Sequence, residues 1–298
     1  MARNLARAGF SLTVTSRTLA KAEDFAREFR GGPAHVAAAR RPSDVAAASD
    51  VIVSCVPDSP EVEEVHLGTA GTVRGARPGT VVIDCSTIAA SAARSIAARL
   101  AEAEVKFLDA PVSGGQKGAV EGTLTFFVGG DETAIETARP VFEAMGKKLT
   151  HLGPSGCGQL GKATNQVIVA GNLLAASEGI AFAEAAGLPL DALHRALTAG
   201  AATSWVLEVL GKKMLERDFL PAFAVKHQQK DLAIVLETAR KNGVPLFGVA
   251  LVHQLLSALE AAGDGDKGTQ ALLTLYESLS PAAHNSALSV PALRQPPR

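Results

Sequence analysis

The chain has 298 residues, of which 47% are hydrophobic, 20% are charged and only 4% are aromatic. This length suggests about two domains, whose cores must be built mainly from aliphatic side chains. The formal net charge of −1, with interspersed signs, gives no electrostatic reason to expect nucleic acid or a membrane as a partner.

The chain carries no obvious targeting or metal-binding pattern. No apolar run approaches the roughly 20 residues of a transmembrane helix, and the N-terminus lacks the apolar segment of a secretory signal. Residues 1–22 contain arginines and no acid, so a transit peptide is an alternative. Cys55, Cys85 and Cys157 are isolated, and the seven histidines show no ligand spacing. We therefore expect a cytoplasmic protein without a disulfide framework or a metal site.

Short apolar runs alternate with helical patterns through the first half of the chain. The predicted strands lie at residues 11–15, 50–55, 80–84, 105–108, 123–128 and 148–152. The predicted helices lie at residues 19–29, 43–48, 61–66, 89–103 and 132–145. This alternation predicts an α/β domain with a doubly wound, parallel sheet and helices on both faces.

The pattern changes at Gly156, because no strand-like run follows. Amphipathic segments lie at residues 157–187, 190–199, 203–216, 223–241, 246–262 and 268–279. We therefore predict a sheet domain over residues 1–153 and an all-α domain over residues 154–280 that includes a long connecting helix. Its several apolar helix faces suggest a homo-oligomer, a dimer or a tetramer. Residues 281–298 are rich in proline and lack periodicity, which predicts a disordered tail.

One part of the predicted sheet is missing. In a doubly wound domain the first strand precedes the helix that residues 1–9 resemble, but this chain starts inside that helix. Residues 11–15 therefore read as the second strand. The absent first strand would be central, so its loss would expose strand edges and apolar surface.

The first candidate site follows residues 11–15. At this point a Rossmann domain uses an acid to bind the ribose 2′-hydroxyl of NAD, or an arginine to accommodate the 2′-phosphate of NADP. Ser16 takes the place of the acid, with Arg17 and Thr18 beside it. The site favours NADP(H), with NAD(H) possible, and an ordinary polar turn is the alternative.

Two further polar stretches follow predicted strands. Ser86 and Thr87 end residues 80–87, where side chains face the ligand crevice of such sheets, although either hydroxyl could instead cap the next helix. After residues 105–108 comes Ser113-Gly114-Gly115. Two glycines can bring backbone N–H groups close to a carboxylate, with the serine hydroxyl as a further donor.

Residues 156–166 open with G-x-G-x-x-G but are not interpreted as a nucleotide-binding turn. A dinucleotide fingerprint needs a second strand carrying an acid or arginine about 20 residues on, whereas here one helix is predicted through Ala186. We interpret the stretch as a close-packed helix start that places Lys162 and Asn165 on one face. Burial there would favour the neutral amine of Lys162, which suits proton transfer, and a surface lysine is the alternative.

Motifs in a fixed order link residues 1–279 to a known family. They are M-A-R-N-L-x-x-A-G at 1–9, V-P-D at 56–58, D-C-S-T-I at 84–88, D-A-P-V-S-G-G at 109–115, E-G-T-L-T-F-F-V-G-G at 121–130, G-C-G-Q-x-x-K-x-x-N-Q at 156–166, K-D-L at 230–232 and L-Y-E at 275–277. Together they resemble the β-hydroxyacid dehydrogenase family, which includes 3-hydroxyisobutyrate dehydrogenase and 2-hydroxy-3-oxopropionate (tartronate semialdehyde) reductase.

The resemblance implies an NAD(P)-dependent interconversion of a small 3-hydroxy acid and its semialdehyde or ketone by hydride transfer. By this resemblance Lys162 is the catalytic lysine, which donates a proton to the carbonyl. Ser113, Gly114 and Gly115 correspond to the loop that binds the substrate carboxylate, and Asn165 to a substrate-binding amide.

The resemblance also implies the remaining contacts. Val56, Pro57 and Thr87 would lie along the nicotinamide half of the cofactor, and Lys230 would reach it from the α domain. Without the resemblance, Lys226 and Lys230 are typical of a solvated helix face. Gln166 stands where many members place a second asparagine, and this N-Q pair is closer to the tartronate semialdehyde reductase branch. A small semialdehyde substrate is therefore favoured.

The chain departs from the family pattern at its start. Relatives carry G-x-G-x-x-G just before the first helix, where it holds the pyrophosphate on the helix N-terminus. We expect Met1 to be an internal methionine of a longer reading frame, or the chain to have been shortened. About 10–15 upstream residues would restore one strand and its turn.

Two other functions stay open at this point. An imine or phosphogluconate-type reductase shares the two-domain plan, although a sugar phosphate would need a basic cluster that the sequence does not show. A catalytically inactive binding or scaffold protein that has lost its phosphate loop is the alternative from a different class.

Overall fold

The computed structural model describes residues 1–32 and 34–279, which divide into two units. The first unit comprises Met1–Val167 and Asp231–Pro245, and the second comprises Ile168–Lys230 and the chain after Pro245. The predicted tail at residues 281–298 lies outside the described residues.

The first unit contains eight strands and seven complete helices among the described residues. The strands are β1 (Leu12–Val14), β2 (Val36–Ala38), β3 (Val51–Ser54), β4 (Val81–Asp84), β5 (Lys106–Asp109), β6 (Val112–Ser113), β7 (Leu124–Gly129) and β8 (Gly146–Gly153). The helices are α1 (Ala2–Arg7), α2 (Leu19–Glu28), α3 (Pro42–Ala47), α4 (Ser59–Leu67), α5 (Ala90–Ala101), α6 (Gly115–Glu121) and α7 (Glu132–Met145).

These strands form two separate sheets. Strands β1 and β2 pair in parallel, and the larger sheet has the order β3-β4-β5-β7-β6, with β8 paired to β7. Strand β7 runs antiparallel to β5 and β6, so the prediction of a wholly parallel sheet is wrong there. Because Val112 pairs with Phe126, helix α6 closes an antiparallel β6–β7 pair and does not act as a crossover.

The strand order explains the separation of the two sheets. In the doubly wound order 3-2-1-4-5-6, the first strand lies between the second and the fourth. If β1, β2 and β3 are the second, third and fourth strands, the parallel pairings β1–β2 and β3–β4–β5 are those of this order without its first strand. The Rossmann-type fold is thus confirmed, and the described residues supply no strand between β1 and β3. Strands β1 and β3 each keep one unpaired edge among the described residues.

Alternating side chains of β4 divide the core between the two faces of the larger sheet. Val81 and Ile83 join the apolar cluster that includes Phe142 of α7, whereas Val82 joins the cluster that includes Ile96 of α5. All five side chains are almost fully buried, as expected of a strand covered on both sides. The C-terminal ends of β3, β4 and β5 therefore meet at one edge of a rigid layer.

Helix α8 (Cys157–Ala185) leaves this sheet and continues into the second unit. The following helices are α9 (Leu190–Thr198), a π-helix (Val206–Gly211), α10 (Lys212–Leu215), α11 (Val225–Lys241), α12 (Phe247–Ala261) and α13 (Leu272–Leu279). The helical second part of the fold is thus confirmed. The expectation that no apolar stretch approaches the length of a transmembrane helix is wrong for α8, which by length and composition could cross a membrane. Core helices of soluble proteins meet the same test, and 39% of the most apolar window of α8 is buried.

Candidate active site

A buried carboxylate holds the start of α8 against the sheet. Asp109 ends β5, and its Oδ1 accepts the backbone N–H of Gly156 at 2.7 Å while its Oδ2 accepts that of Gln159 at 2.9 Å. Burial raises the pKa of Asp109, and these two N–H bonds act against that rise. The free N–H groups at the start of a helix favour an anion, and here the carboxylate of Asp109 is that anion.

Glycines allow this close contact between helix and strands. A Cβ at Gly158 would overlap the carbonyl oxygen of Asp109 and lie 2.5 Å from that of Phe127. Gly156 has a φ of +90°, a backbone angle that residues other than glycine rarely adopt. The glycines of residues 156–161 therefore have a packing role that matches our interpretation of the sequence.

Gln159 connects α8 to the loop that follows β4. Its Oε1 accepts the N–H of Ile88 at 3.0 Å, and its Nε2 donates to the carbonyl oxygen of Ser86 at 2.8 Å. One buried amide thus holds the backbone on both sides of Thr87. Thr87 is one of the residues assigned to the cofactor by resemblance.

Lys162 lies three residues after Gln159 and is only 8% exposed, so the alternative of a surface lysine is excluded. One turn further on, Nδ2 of Asn165 donates to Oε1 of Gln166 at 2.9 Å. Nε2 of Gln166 in turn donates to Oδ2 of Asp231 at 2.7 Å. The N-Q pair is therefore held by the aspartate of the K-D-L motif.

The two loops assigned to the nicotinamide end are joined to each other. Val56 and Pro57 follow β3, and the N–H of Val56 donates to Oγ of Ser86 at 2.9 Å. A second bond runs from the N–H of Ala89 to Oγ of Ser59 at 3.2 Å. Val56, Pro57 and Thr87 therefore lie on neighbouring loops at one edge of the sheet.

The residues assigned to the substrate carboxylate follow β5 on the same sheet. Ser113 is half-buried in β6 and pairs with Thr125 of β7. Gly114 and Gly115 have φ values of +125° and +59°, which explains why this turn carries two glycines. The sequence assigned the whole stretch to a loop, whereas Gly115 begins α6.

The residues assigned to the adenosine end lie on the smaller sheet. Ser16, Arg17 and Thr18 follow β1 and are exposed. Because Val14 pairs with Ala38, the register brings Arg40, after β2, to the same edge as Ser16. The remaining cofactor residue, Lys230, belongs to the second unit.

Sequence reasoning missed Asp84, Asp109 and Gln159 as parts of the site, and it missed Arg40. A signal existed for the two acids, since each ends an apolar strand where a charge is costly unless it is bonded. Gln159 gave no such signal. Its partners are 71 and 73 residues away in the chain.

A Rossmann-type sheet that leads through a long helix into an all-α unit, with a buried lysine on that helix, defines a class of NAD(P)-dependent oxidoreductases. Residues 1–153 match the model of the NAD-binding domain of 6-phosphogluconate dehydrogenase. Residues 156–276 match that of the NAD-binding domain of NADP-dependent 3-hydroxyisobutyrate dehydrogenase. The chain belongs to the β-hydroxyacid dehydrogenase family and is an NAD(P)-dependent hydroxyacid dehydrogenase of that family.

Relatives over nearly the whole chain agree with this assignment. The 2-hydroxy-3-oxopropionate reductase of Escherichia coli is 39% identical over 280 residues, which is 94% of each chain. The NAD-dependent L-serine dehydrogenase of Pseudomonas aeruginosa is 36% identical over 266 residues, 86% of this chain and 87% of the relative. The structure of Mycobacterium tuberculosis 3-hydroxyisobutyrate dehydrogenase with L-serine superposes with a TM-score of 0.82 at 30% identity, covering 91% of this chain and 92% of that one.

The side chains present fit two ends of a nicotinamide dinucleotide. Arg17 and Arg40 place positive charge after β1 and β2, and a hydrogen bond joins the loops after β3 and β4. The described residues supply no glycine turn before α1 for the pyrophosphate. The amino group of Met1 donates to the carbonyl oxygen of Ala119 at 3.2 Å.

Proposed function

We propose that this chain reduces small semialdehydes with NADPH, and oxidises the corresponding 3-hydroxy acids with NADP⁺, using Lys162 as the proton donor and acceptor. The observation that carries the proposal is the burial of Lys162 on the turn of α8 that Gln159 and Asp109 fix to the sheet. A lysine held in a dry site can hold a proton at a defined position, which is the requirement for general acid catalysis.

Lys162 then serves both directions of the reaction. In reduction Nζ of Lys162 donates a proton to the carbonyl oxygen, which forms the hydroxyl of the product, and the lysine regains its proton from water. The bound nicotinamide supplies the hydride. In the oxidative direction the amine accepts the hydroxyl proton.

Substrate binding is assigned to the carboxylate end of the semialdehyde. Ser113, with the N–H groups of Gly114 and Gly115, would bind the carboxylate, and Asn165 would donate to a polar group next to the carbonyl. Gln166 supports this assignment because it holds Asn165 and is itself held by Asp231. The small-semialdehyde preference rests on this pair and on similarity to the Escherichia coli reductase.

A preference for NADP(H) over NAD(H) is supported by the adenosine end. Ser16 replaces the acid that would repel a 2′-phosphate, and Arg17 and Arg40 lie at the same strand ends. Lys230 and the loop residues Val56, Pro57 and Thr87 complete the proposed contacts. The isolated cysteines fit a reducing compartment, and we propose the cytoplasm.

The test combines nucleotide titration with turnover. NADPH and NADH are titrated into the chain by fluorescence, and small semialdehydes are then assayed with the wild type, Lys162→Met and the exposed-lysine control Lys212→Met. We expect Lys162→Met to lose about 10²–10⁴ in turnover while it still binds nucleotide. Full turnover by this variant would remove Lys162 from the mechanism. Absence of nucleotide binding that an N-terminal extension does not restore would favour the scaffold alternative.

We also propose that a second copy of the chain covers one face of α8. Ile168 and Phe182 are 59% and 74% exposed, and between them the face carries Gly171, Ala175 and Gly179. The spacing is symmetric about Ala175, so two antiparallel copies would place each large side chain opposite the other and the glycines together. This self-complementarity favours a homodimer over a different partner.

Sedimentation tests the proposed dimer. Ile168→Glu places a charge in the symmetric face and is expected to give a monomer. The control Leu220→Glu changes a side chain that is 75% exposed and lies outside α8, so it should leave the assembly intact. A wild-type chain that sediments as a monomer at high concentration would rule out this surface.

A further inference from the structure

Asp84 is a fully buried acid that the proposed proton transfer does not use. It ends β4, and its Oδ1 accepts the hydroxyl protons of Ser54 and Ser86, each at 2.7 Å. Burial raises the pKa of Asp84 to about 6, and the bonds from the two serines act against that rise. The group lies beneath the two loops that carry the proposed nicotinamide contacts.

The bonds continue away from the loops and have fixed directions. Because Ser54 donates to Asp84, its oxygen accepts from Nε2 of His66 at 2.9 Å. Nδ1 of His66 then accepts from the hydroxyl of Thr72, also at 2.9 Å. Burial lowers the pKa of His66 to about 4, so the ring is neutral at pH 7. Each donor in this line has one acceptor.

The burial of Asp84 contributes little to the stability of the fold. Oδ2 of Asp84 is buried and has no hydrogen-bond partner among the described residues, which is a desolvation cost. Buried charged groups often stabilise less than apolar side chains of similar size. The role of Asp84 therefore depends on the groups that its carboxylate holds in place.

Asp84 fixes the orientation of one hydroxyl that faces a loop. A serine hydroxyl rotates freely unless a partner holds its proton. With its proton on Asp84, Oγ of Ser86 presents a lone pair to the N–H of Val56 at 2.9 Å. The carboxylate thereby sets the backbone after β3 through a side chain that follows β4.

Gln159 extends the same control to α8. It holds the carbonyl of Ser86 and the N–H of Ile88, and Lys162 lies three residues further along the helix. Hydrogen bonds therefore join the backbone at Val56, the backbone around Thr87 and the turn that carries Lys162. Displacements of about 1 Å in such a frame can cost about 10²-fold in rate.

We propose that Asp84, Ser86 and Gln159 are positioning residues of the reductase reaction, which fix the nicotinamide-facing loops relative to the helical turn of Lys162. The proposal rests on the proposed function, because it assigns to these residues the alignment of the groups named there. None of the three is proposed to contact the reacting atoms.

Amide hydrogen exchange tests the structural part of the proposal without substrate. Ser86→Ala removes the acceptor of the Val56 N–H and should speed exchange of that amide about tenfold, the equivalent of one hydrogen bond. Asp84→Leu leaves Ser86 in place but frees its hydroxyl, and should also speed exchange at Val56. Thr72→Val, at the far end of the line of bonds, is the control and should leave Val56 unchanged.

Steady-state kinetics tests the functional part. Ser86→Ala and Gln159→Met should lower kcat at least tenfold, with less than a threefold change in the Kd for NADPH, because alignment is lost and the binding groups remain. Ser86→Thr keeps the hydroxyl and should restore both kcat and slow exchange. Thr72→Val should keep the wild-type kcat.

The outcomes separate this proposal from the proposed function. Equal effects of Ser86→Ala and Thr72→Val on Val56 exchange would overturn the positioning role, as would a wild-type kcat in Ser86→Ala. A wild-type chain that turns over no semialdehyde would refute the proposed function. The functional part of the positioning role would be refuted with it, and the exchange data would still decide whether Asp84 sets the loop.

Discussion

The two sheets of the first unit hold their strand ends in different ways. At the ends of β3, β4 and β5, hydrogen bonds that involve Ser86, Gln159 and Asp109 join each segment to a neighbour. At the ends of β1 and β2, Ser16, Arg17 and Arg40 are exposed, and the sheet has only two strands. The proposed chemistry lies on the first edge and the proposed recognition of the nucleotide on the second.

This difference shows which part of the site depends on the rest of the sheet. The edge where β3, β4 and β5 end, at which we propose that the nicotinamide binds, belongs to one continuous six-stranded sheet. The smaller sheet has three residue pairs between β1 and β2, and Leu12 of β1 packs against the core cluster of the larger sheet. No described strand fills the position between β1 and β3. A sheet of two strands is marginally stable by itself. Changes that join the sheets should therefore affect nucleotide affinity more than chemistry.

The largest effect is expected when the two sheets are joined. A chain extended before Met1 by an apolar strand of about five residues and a G-x-G-x-x-G turn should bind NADPH about 10³-fold more tightly. The estimate assumes three new bonds from backbone N–H groups to the pyrophosphate, at about 1.5 kcal/mol each. Calorimetric titration of the extended and original chains measures the difference.

A matched extension isolates the contribution of the turn. Replacing the turn glycines of the added segment by valine keeps the strand but blocks the close approach of the backbone to a phosphate. This second chain should show slower amide exchange in β1 and β3 and little gain in affinity. Equal NADPH affinity for all three chains would show that the gap between the sheets does not limit binding.

The second effect concerns the buried nicotinamide edge and depends on pH. The pKa of Asp84 is about 6 in the folded chain against 3.8 for the free side chain, so the folded state holds the proton more tightly. The stability from this proton is present below about pH 4 and is lost as the pH rises through about 6. Asp84→Asn has no such proton. The free energy of unfolding of the wild type minus that of the variant should therefore fall by about 2.5 kcal/mol from pH 4 to 7.

Urea unfolding at several pH values measures that difference. His66, which titrates in the same range with the opposite sign, is present in both chains and cancels in the subtraction. Asp50→Asn changes an acid that is 94% exposed and serves as the surface control. A difference for Asp84→Asn that does not vary with pH would contradict the assigned protonation.

The third effect compares two glycines of one helix. Gly158→Ala places a methyl group against the carbonyl oxygens of Asp109 and Phe127 and should lower the free energy of unfolding by about 2 kcal/mol. Gly171→Ala, where a Cβ meets nothing within 4 Å, should raise it by about 0.5–1 kcal/mol, because alanine favours helix. Thermal unfolding of both variants measures the contrast, and similar losses in both would remove the packing role of residues 156–161.

If the proposed dimer forms, Gly171 lies in its interface, so the comparison is made in the monomeric Ile168→Glu background.

Local patterns were sufficient for the elements with strong periodicity. The alternating runs predicted β1, β3, β4 and β5, and the change at Gly156 predicted the helical second part of the chain. Strand β2 was missed because Val36–Ala38 lies in an alanine-rich segment that favours no strand. Strand direction was wrong at β7, since periodicity reports which face a residue occupies and does not report which way the strand runs.

The site was harder to predict than the fold because its supporting bonds join distant residues. Lys162 was identified by its position on a helix of small side chains, and its burial agrees with that reasoning. Asp84 contacts Ser54 across 30 residues and Gln159 contacts Ser86 across 73, so no local spacing indicates either pair. Such residues become visible only when the strand register is known.

Arg40 was missed as a site residue because β2 was missed. Its replacement gives the smallest predicted effect on nucleotide binding. Since β2 places it beside Ser16, Arg40→Ala should weaken NADPH binding about fivefold, or about 1 kcal/mol, by loss of one exposed charge near the 2′-phosphate. Arg17→Ala should act similarly, and neither should change the Kd for NADH. Arg30→Ala, an arginine after α2, serves as the control for overall charge. If Arg40→Ala weakened NADH equally, the residue would support the sheet and would not select the cofactor.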